Sequence, residues 1–232
     1  MVSNLAIIPA RGGSKRIPGK NIKLFAGKPI ISYSIMACLE SELFEQVVVS
    51  TDSLEIAEIA QSYGALVPFL RDPGISDDHT GLLQVIKDAI ERTVCSAPPP
   101  SRVIAVLPTS PFLTPQILRD SLGVLDETNC EYVFAAAQYQ YPIQRALRQN
   151  GQMFFPENRF SRSQDLEPAI HDAGQFYWGR TQAFLDLKNI FSELSKPFIV
   201  PREVAVDIDT PEDWEYAELL FKASMLKRTR SN

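Results

Sequence analysis

Cysteine and histidine are scarce in this chain, and their scarcity removes whole classes of chemistry. The three cysteines, Cys38, Cys95 and Cys130, are odd in number and form no Cys-x-x-Cys pair, so the disulfide framework of an exported domain is not expected. Cys38 and Cys95 fall on predicted helices and read as buried free thiols. Two histidines, His79 and His171, cannot build an imidazole-rich zinc centre, and a hydrolase is disfavoured further by the lack of a Gly-x-Ser-x-Gly elbow. No apolar run approaches the ~18 residues of a membrane span, and the N-terminus lacks the basic segment and long apolar stretch of a secretory signal. These absences lead us to expect a cytoplasmic protein with no membrane partner. Positive charge is also in deficit, with 23 basic against 28 acidic residues and a net charge of −5. A nucleic-acid partner normally needs an extended basic face and is not expected. The basic end Lys227-Arg228-Thr-Arg230 reads as a solvated tail.

Against this acidic background one segment stands apart. Between Arg11 and Lys28 lie six cations (Arg11, Lys15, Arg16, Lys20, Lys23, Lys28) and no acid; without them the chain holds 17 basic against 28 acidic residues, a balance of −11. The apolar run Leu5–Ile8, read as a strand, empties directly into this glycine- and proline-rich loop. Cations and backbone N–H groups freed by glycine make a device for polyphosphate. Its spacing is neither that of a Walker A loop, which needs four residues before Gly-Lys-Ser/Thr, nor the G-x-G-x-x-G of a dinucleotide site.

The 232 residues, 45% of them hydrophobic, suffice for one domain. Strands and helices are predicted in alternation. The strands are Leu5–Ile8, Val47–Val49, Leu66–Phe69, Val103–Leu107, Tyr132–Ala137, Gly174–Trp178 and Val204–Ile208. The helices are Pro29–Glu40, Asp52–Tyr63, Thr80–Val94, Pro115–Leu125 and Pro211–Met225, and Ala97-Pro98-Pro99-Pro100 stops the third of them. Residues 139–171 break the alternation as a polar, Arg-rich excursion. Such an order implies an open α/β sheet, mostly parallel, with helices on both faces.

Ligands of such sheets bind beyond the C-terminal strand ends. Four predicted strands end in polar clusters there: the basic loop, Ser50-Thr51-Asp52, Pro108-Thr109-Ser110-Pro111 and Asp207-Ile208-Asp209-Thr210. Asp52, Thr109 or Ser110, and Thr210 are also plausible helix caps. On an extended strand Asp207 and Asp209 share a side, and two adjacent carboxylates call for a hard cation such as Mg2+ shared with substrate phosphates.

Taken together, Ile7-Ile-Pro-Ala-Arg-Gly-Gly-Ser-Lys-Arg-Ile-Pro-Gly-Lys-Asn21, Val49-Ser-Thr-Asp52, Leu70-Arg71, Pro108-Thr-Ser-Pro111 and Val206-Asp-Ile-Asp209 resemble the acylneuraminate cytidylyltransferases, the CMP-sialic acid synthetases. The likeness spans residues 5 to 220. Val67-Pro-Phe-Leu-Arg71, Tyr141-Pro-Ile-Gln-Arg145, Arg162-Ser-Gln-Asp-Leu-Glu167 and His171-Asp-Ala-Gly-Gln-Phe-Tyr-Trp178 are most similar to the branch acting on pseudaminic acid. The sialic acid branch typically has Asn-Gly-Ala-Ile-Tyr where this chain has Ala173-Gly-Gln-Phe-Tyr177, and often Gln in place of Leu107.

The resemblance implies a Rossmann-like nucleotidyltransferase fold and transfer of CMP from CTP to the anomeric hydroxyl of a nine-carbon 2-keto sugar acid, with release of pyrophosphate. It assigns the nucleotide to Ala10, Arg11, Gly12, Gly13, Ser14, Lys15, Lys20, Asn21, Arg71 and Thr80, and catalysis to Lys20, Arg11 and Asp209. Asp207 and Asp209 would hold Mg2+, and the base stays open between Asp209 and a hydroxide on the metal. Thr109, Ser110, Gln144, Arg145, Arg162, Gln164, Asp172, Gln175 and Tyr177 are the candidate sugar readers, the two arginines for its carboxylate. Phe176 is assigned to the core, and His171 to either a ligand contact or a structural role. A homodimer is implied, with 139–171 reaching into the partner. Other sugar acids (legionaminic, N-acetylneuraminic or 3-deoxy-octulosonic) are the alternatives, and a non-catalytic nucleotide-binding regulator is a further one.

Overall fold

In a computed structural model, which describes residues 3–94 and 99–230, the chain folds around a six-stranded sheet. The elements run β1 (Asn4–Pro9), β2 (Leu24–Phe25), β3 (Lys28–Pro29), α1 (Ile30–Ser41), β4 (Gln46–Ser50), α2 (Leu54–Ser62), α3 (Leu82–Thr93), β5 (Arg102–Val106), α4 (Pro115–Glu127), β6 (Tyr132–Gln138), β7 (Ile170–Arg180), α5 (Thr181–Leu185), β8 (Ser195–Ile199) and α6 (Pro211–Arg230). The main sheet has the order β4-β1-β5-β7-β6-β8, while β2 and β3 form a small separate ribbon. The pairs β1–β4, β1–β5 and β6–β8 are parallel; β7 runs antiparallel to both its neighbours.

Strand alternation builds two cores from one sheet. In β1 the side chains of Ala6 and Ile8 join the cluster formed with α1, α4 and α6, and those of Leu5 and Ile7 join the opposite cluster formed with α3 and α5. Both faces are covered, which is why β1, β4 and β5 read as nearly unbroken apolar runs. Trp178 on β7 is fully buried, stacks on Phe44 and donates its indole N–H to Ser121 Oγ at 3.1 Å. Arg180 closes the end of α4 by donating to the carbonyls of Leu125, Thr128 and Cys130.

Several sequence expectations require correction. Leu66–Phe69 makes only isolated bridges, Leu66 to Val48 and Leu70 to Thr51, since Pro68 cannot donate to a ladder. Val204–Ile208 is not paired in the sheet either; the edge strand is β8, whose exposed Lys196 and Pro197 hide it from an apolar-pattern search. Helices α2 and α4 are capped by Ser53 and Thr114, not by Asp52, Thr109 or Ser110. The third helix starts after Gly81, and α6 continues through the basic end to Arg230 where a tail was expected. Leu39 and Leu54, expected on apolar helix faces, are exposed. Cys38 is buried and free as expected, and Cys130 likewise; Cys95 and Ala97-Pro98 lie outside the described residues. The excursion holds three short 3-10 turns, Ile143–Arg145, Pro156–Asn158 and Ser163–Asp165, joined by loop.

Candidate active site

The basic loop leaves β1 at Pro9 and is held against the neighbouring strand by the fully buried Ala10, whose N–H donates to the Ser50 carbonyl at 2.9 Å. Asp52, two residues past the end of that ladder, accepts the Gly12 N–H at 2.9 Å. Gly12 lies so close to α2 that a Cβ would stand 3.2 Å from Ser53 Cβ, so the smallest residue suits this approach. At the loop's far end Gly19 turns with φ +62°, in the left-handed region that glycine tolerates. Asn21, only 5% exposed, donates its amide to the Arg11 carbonyl at 2.9 Å, closing the loop on itself.

Two acids grip the loop from opposite sides. Asp209 meets Arg16 at 2.9 Å and Lys20 at 3.3 Å, and Lys20 Nζ also donates to the Ile208 carbonyl at 2.7 Å. Asp78 bridges Arg11 and Lys15, whose charge-assisted hydrogen bonds hold its carboxyl down at about 2. Between them lies a cleft of about 360 Å³ lined by Arg11, Ser14, Lys15, Arg16, Lys20, Asn21, Arg71, Thr80 and Thr109, among others. Arg71, 4% exposed, forms its wall: it donates to Ser76 Oγ at 3.1 Å and stands 3.8 Å from Asp52. Burial lowers the Arg71 pKa, opposed by the negative charges of Asp52 and Asp88. The cleft gathers five cations at the C-terminal ends of β1 and β5, and such a wall concentrates field on an anion.

Although outside the sheet, the 204–208 segment keeps the alternation of a strand. Val204, Val206 and Ile208 are buried while Asp207 is exposed, so Asp207 and Asp209 lie on the side away from the core. Gln175, 1% exposed, helps hold the segment by donating its amide to the carbonyls of Ala173 at 3.0 Å and Val206 at 3.3 Å. Beyond it Thr210 and Asp213 form a capping box that opens α6, with the Asp213 carboxylate accepting the N–H groups of Asp209 and Thr210. Desolvation, then the charge of Asp209, raise the Asp207 pKa. The two carboxylates are hard oxygen donors that suit a divalent ion completed by substrate oxygens; the ion would take Asp209 over from Arg16 and Lys20. Among the described residues no group of three or more His, Cys, Asp or Glu forms a cage.

Not every candidate arrives at the cleft. Ser110 is buried with its hydroxyl on the Gln175 carbonyl, Gln175 is an internal clamp, and Phe176 is core as expected. Tyr177, expected to touch sugar, is 6% exposed and donates to Asp172 Oδ2 at 2.6 Å; burial and that carboxylate raise its pKa strongly. His171 donates its ring N–H to the Asp172 carbonyl and packs on Tyr139. Gln144, Arg145, Arg162 and Gln164 lie on the excursion, away from the cleft wall; Arg145 donates to the Ser161 carbonyl and Arg162 pairs with Asp165 at 2.7 Å. A larger groove, about 1730 Å³, runs instead past α1, α6 and the mouth of the excursion, lined by Tyr33, Phe112, Tyr139, His171, Val206 and Phe221 among others. The sequence leaves Asp52 open between a helix cap and a strand-end ligand cluster, and it offers no reading of Asp78. The strand-end position of Asp52 marks it, whereas nothing local marks Asp78, whose partners lie 63 and 67 residues away.

An open α/β sheet with a cationic strand-end cleft is the arrangement of a phosphate-binding α/β protein. The fold is shared with a solved CMP:2-keto-3-deoxy-manno-octonic acid synthetase in complex with CTP, at TM-score 0.69 and 17% identity over 96% of this chain and 99% of that one. The chain belongs to the cytidylyltransferase family, whose model matches residues 5–226. It is 45% identical to the pseudaminic acid cytidylyltransferase of Campylobacter jejuni serotype O:2, over 96% of this chain and 98% of that protein. It is 35% identical to the CMP-N,N'-diacetyllegionaminic acid synthase of Legionella pneumophila, over 94% and 96% respectively.

Proposed function

We propose that this cytidylyltransferase moves CMP from CTP to the anomeric hydroxyl of pseudaminic acid, releasing pyrophosphate. The observation that carries this is the cleft, in which a cationic loop meets Asp209 through Arg16 and Lys20; the 45% identity to a pseudaminic acid enzyme supports the choice of sugar. Arg11, Ser14 and Lys15 bind the triphosphate. Lys20, held by Ile208 and Asp209, meets the negative charge that grows on the transferring phosphate and its leaving group. Arg71 and Thr80 line the wall where the nucleoside lies. Asp207 and Asp209 hold Mg2+, which when bound supplies positive charge against the phosphates. Catalysis is then chiefly positioning and neutralisation of charge, which the fixed loop serves.

The excursion supplies the carboxylate readers Arg145 and Arg162 to the site of a second copy, so the working unit is a homodimer. Its exposed Tyr141, Leu147 and Phe160 are apolar surface suited to that contact. No helix among the described residues is long and apolar enough to cross a membrane. We place the enzyme in the cytoplasm, where CTP is found.

The test is pyrophosphate release from CTP and Mg2+ with pseudaminic, legionaminic and N-acetylneuraminic acids offered separately. Release with pseudaminic acid alone is expected. Release with another acid replaces the sugar and keeps the chemistry; CTP binding without any release makes the chain a non-catalytic binder.

A further inference from the structure

The cleft contains an anion of the chain's own. Asp78 sets one carboxylate oxygen on Arg11 and the other on Lys15, and Arg11 donates to the neighbouring Asp77 carbonyl at 3.1 Å. These are two of the cations assigned above to triphosphate. The segment that presents Asp78 is held by its own turn: Asp77 Oδ1 accepts the N–H groups of His79 at 3.0 Å and Thr80 at 2.7 Å, and the Thr80 hydroxyl at 2.8 Å. Arg71 holds its other end through Ser76. Asp78 itself caps no helix and packs in no core, and a third of its side chain is open to solvent. Its partners are the binding cations and nothing in the proposed chemistry uses it.

We propose that Asp78 is a specificity-determining residue that competes as a built-in anion for Arg11 and Lys15, so that a ligand gains these cations only by displacing it with phosphate. This rests on reading the cleft as the triphosphate site. The consequence is selective weakening: CTP and inorganic pyrophosphate both bear the cost of displacement, whereas cytidine, with no phosphate, does not. Since the same cost falls on substrate and product, Asp78 limits retention of pyrophosphate after transfer. A weak competitor suits this task, because exposed ion pairs are individually worth little and a polyphosphate outbids them.

The experiment is calorimetric titration of wild type, Asp78→Asn and Asp78→Glu with CTP, pyrophosphate and cytidine, at low and high salt. Removing the charge is expected to tighten CTP and pyrophosphate about three- to tenfold, to leave cytidine unchanged, and to lose most of its effect at high salt. Asp78→Glu, which keeps the charge, is expected to behave like wild type. Unchanged or weaker CTP binding by a folded Asp78→Asn overturns the competition and leaves Asp78 as an ordering contact. Wild type that binds neither CTP nor pyrophosphate overturns the proposed function, and this inference with it.

Discussion

The basic loop at residues 11–28 and the excursion at 139–171 are both rich in cations, yet they are built in opposite ways. The loop is anchored to the neighbouring strand by Ala10 on Ser50 and Gly12 on Asp52 and closed on itself by Asn21 on Arg11, so its backbone is fixed relative to the core. In the excursion Arg145 serves a carbonyl of the same segment, Arg162 pairs with Asp165 three residues on, and Phe160 is 83% exposed. The first is complete within one chain. The second pairs its arginines locally and leaves Tyr141, Leu147 and Phe160 exposed. Charge alone does not make a site; the anchoring of the backbone beneath it does, because a fixed backbone leaves only side-chain partners to exchange when substrate arrives.

The largest test strikes the anchored half. Asp209→Ala removes the carboxylate shared by Arg16, Lys20 and the proposed metal, and turnover at saturating Mg2+ is expected to fall by about a thousandfold or more with the fold retained by circular dichroism. Unchanged turnover removes the metal role. Next, Lys20→Ala should lower kcat about a hundredfold with a smaller change in CTP affinity. Steady-state kinetics beside equilibrium binding separate the two, and a loss in affinity alone moves Lys20 to ground-state binding.

On the other side, Arg145→Ala or Arg162→Ala should raise KM for the sugar acid about tenfold and leave KM for CTP alone. Mixed oligomers of the Arg162→Ala and Lys20→Ala chains should then recover part of the lost activity, because one intact site forms between two damaged copies. Failure of that rescue would put both halves in the same chain.

The smallest effect concerns stability. The Asp207 pKa is raised, so the folded state is favoured below the ordinary carboxylate pKa of ~4 and loses that advantage as pH rises through the folded value. Asp207→Asn without metal should therefore melt slightly above wild type at pH ~7, with the difference fading toward pH ~4. A gain that persists at the acid end would point to packing instead of charge.

The parts legible along the chain are those whose cause is local. The apolar runs of β1, β4 and β5, the Pro and Thr at the start of α6, the loop's excess of cations and the family motifs are all read from neighbours along the chain, because burial on both faces and capping act within a few residues. The rest depends on long-range packing. Packing put β8 at the edge in place of Val204–Ile208, since a half-exposed strand containing Pro197 carries little periodic signal. It also turned Gln175 and Tyr177 from expected sugar readers into internal partners of Val206 and Asp172. And it laid Asp78 across Arg11 and Lys15, a contact between residues more than sixty positions apart whose energy no local pattern records, because it exists only once the sheet has brought the two loops together.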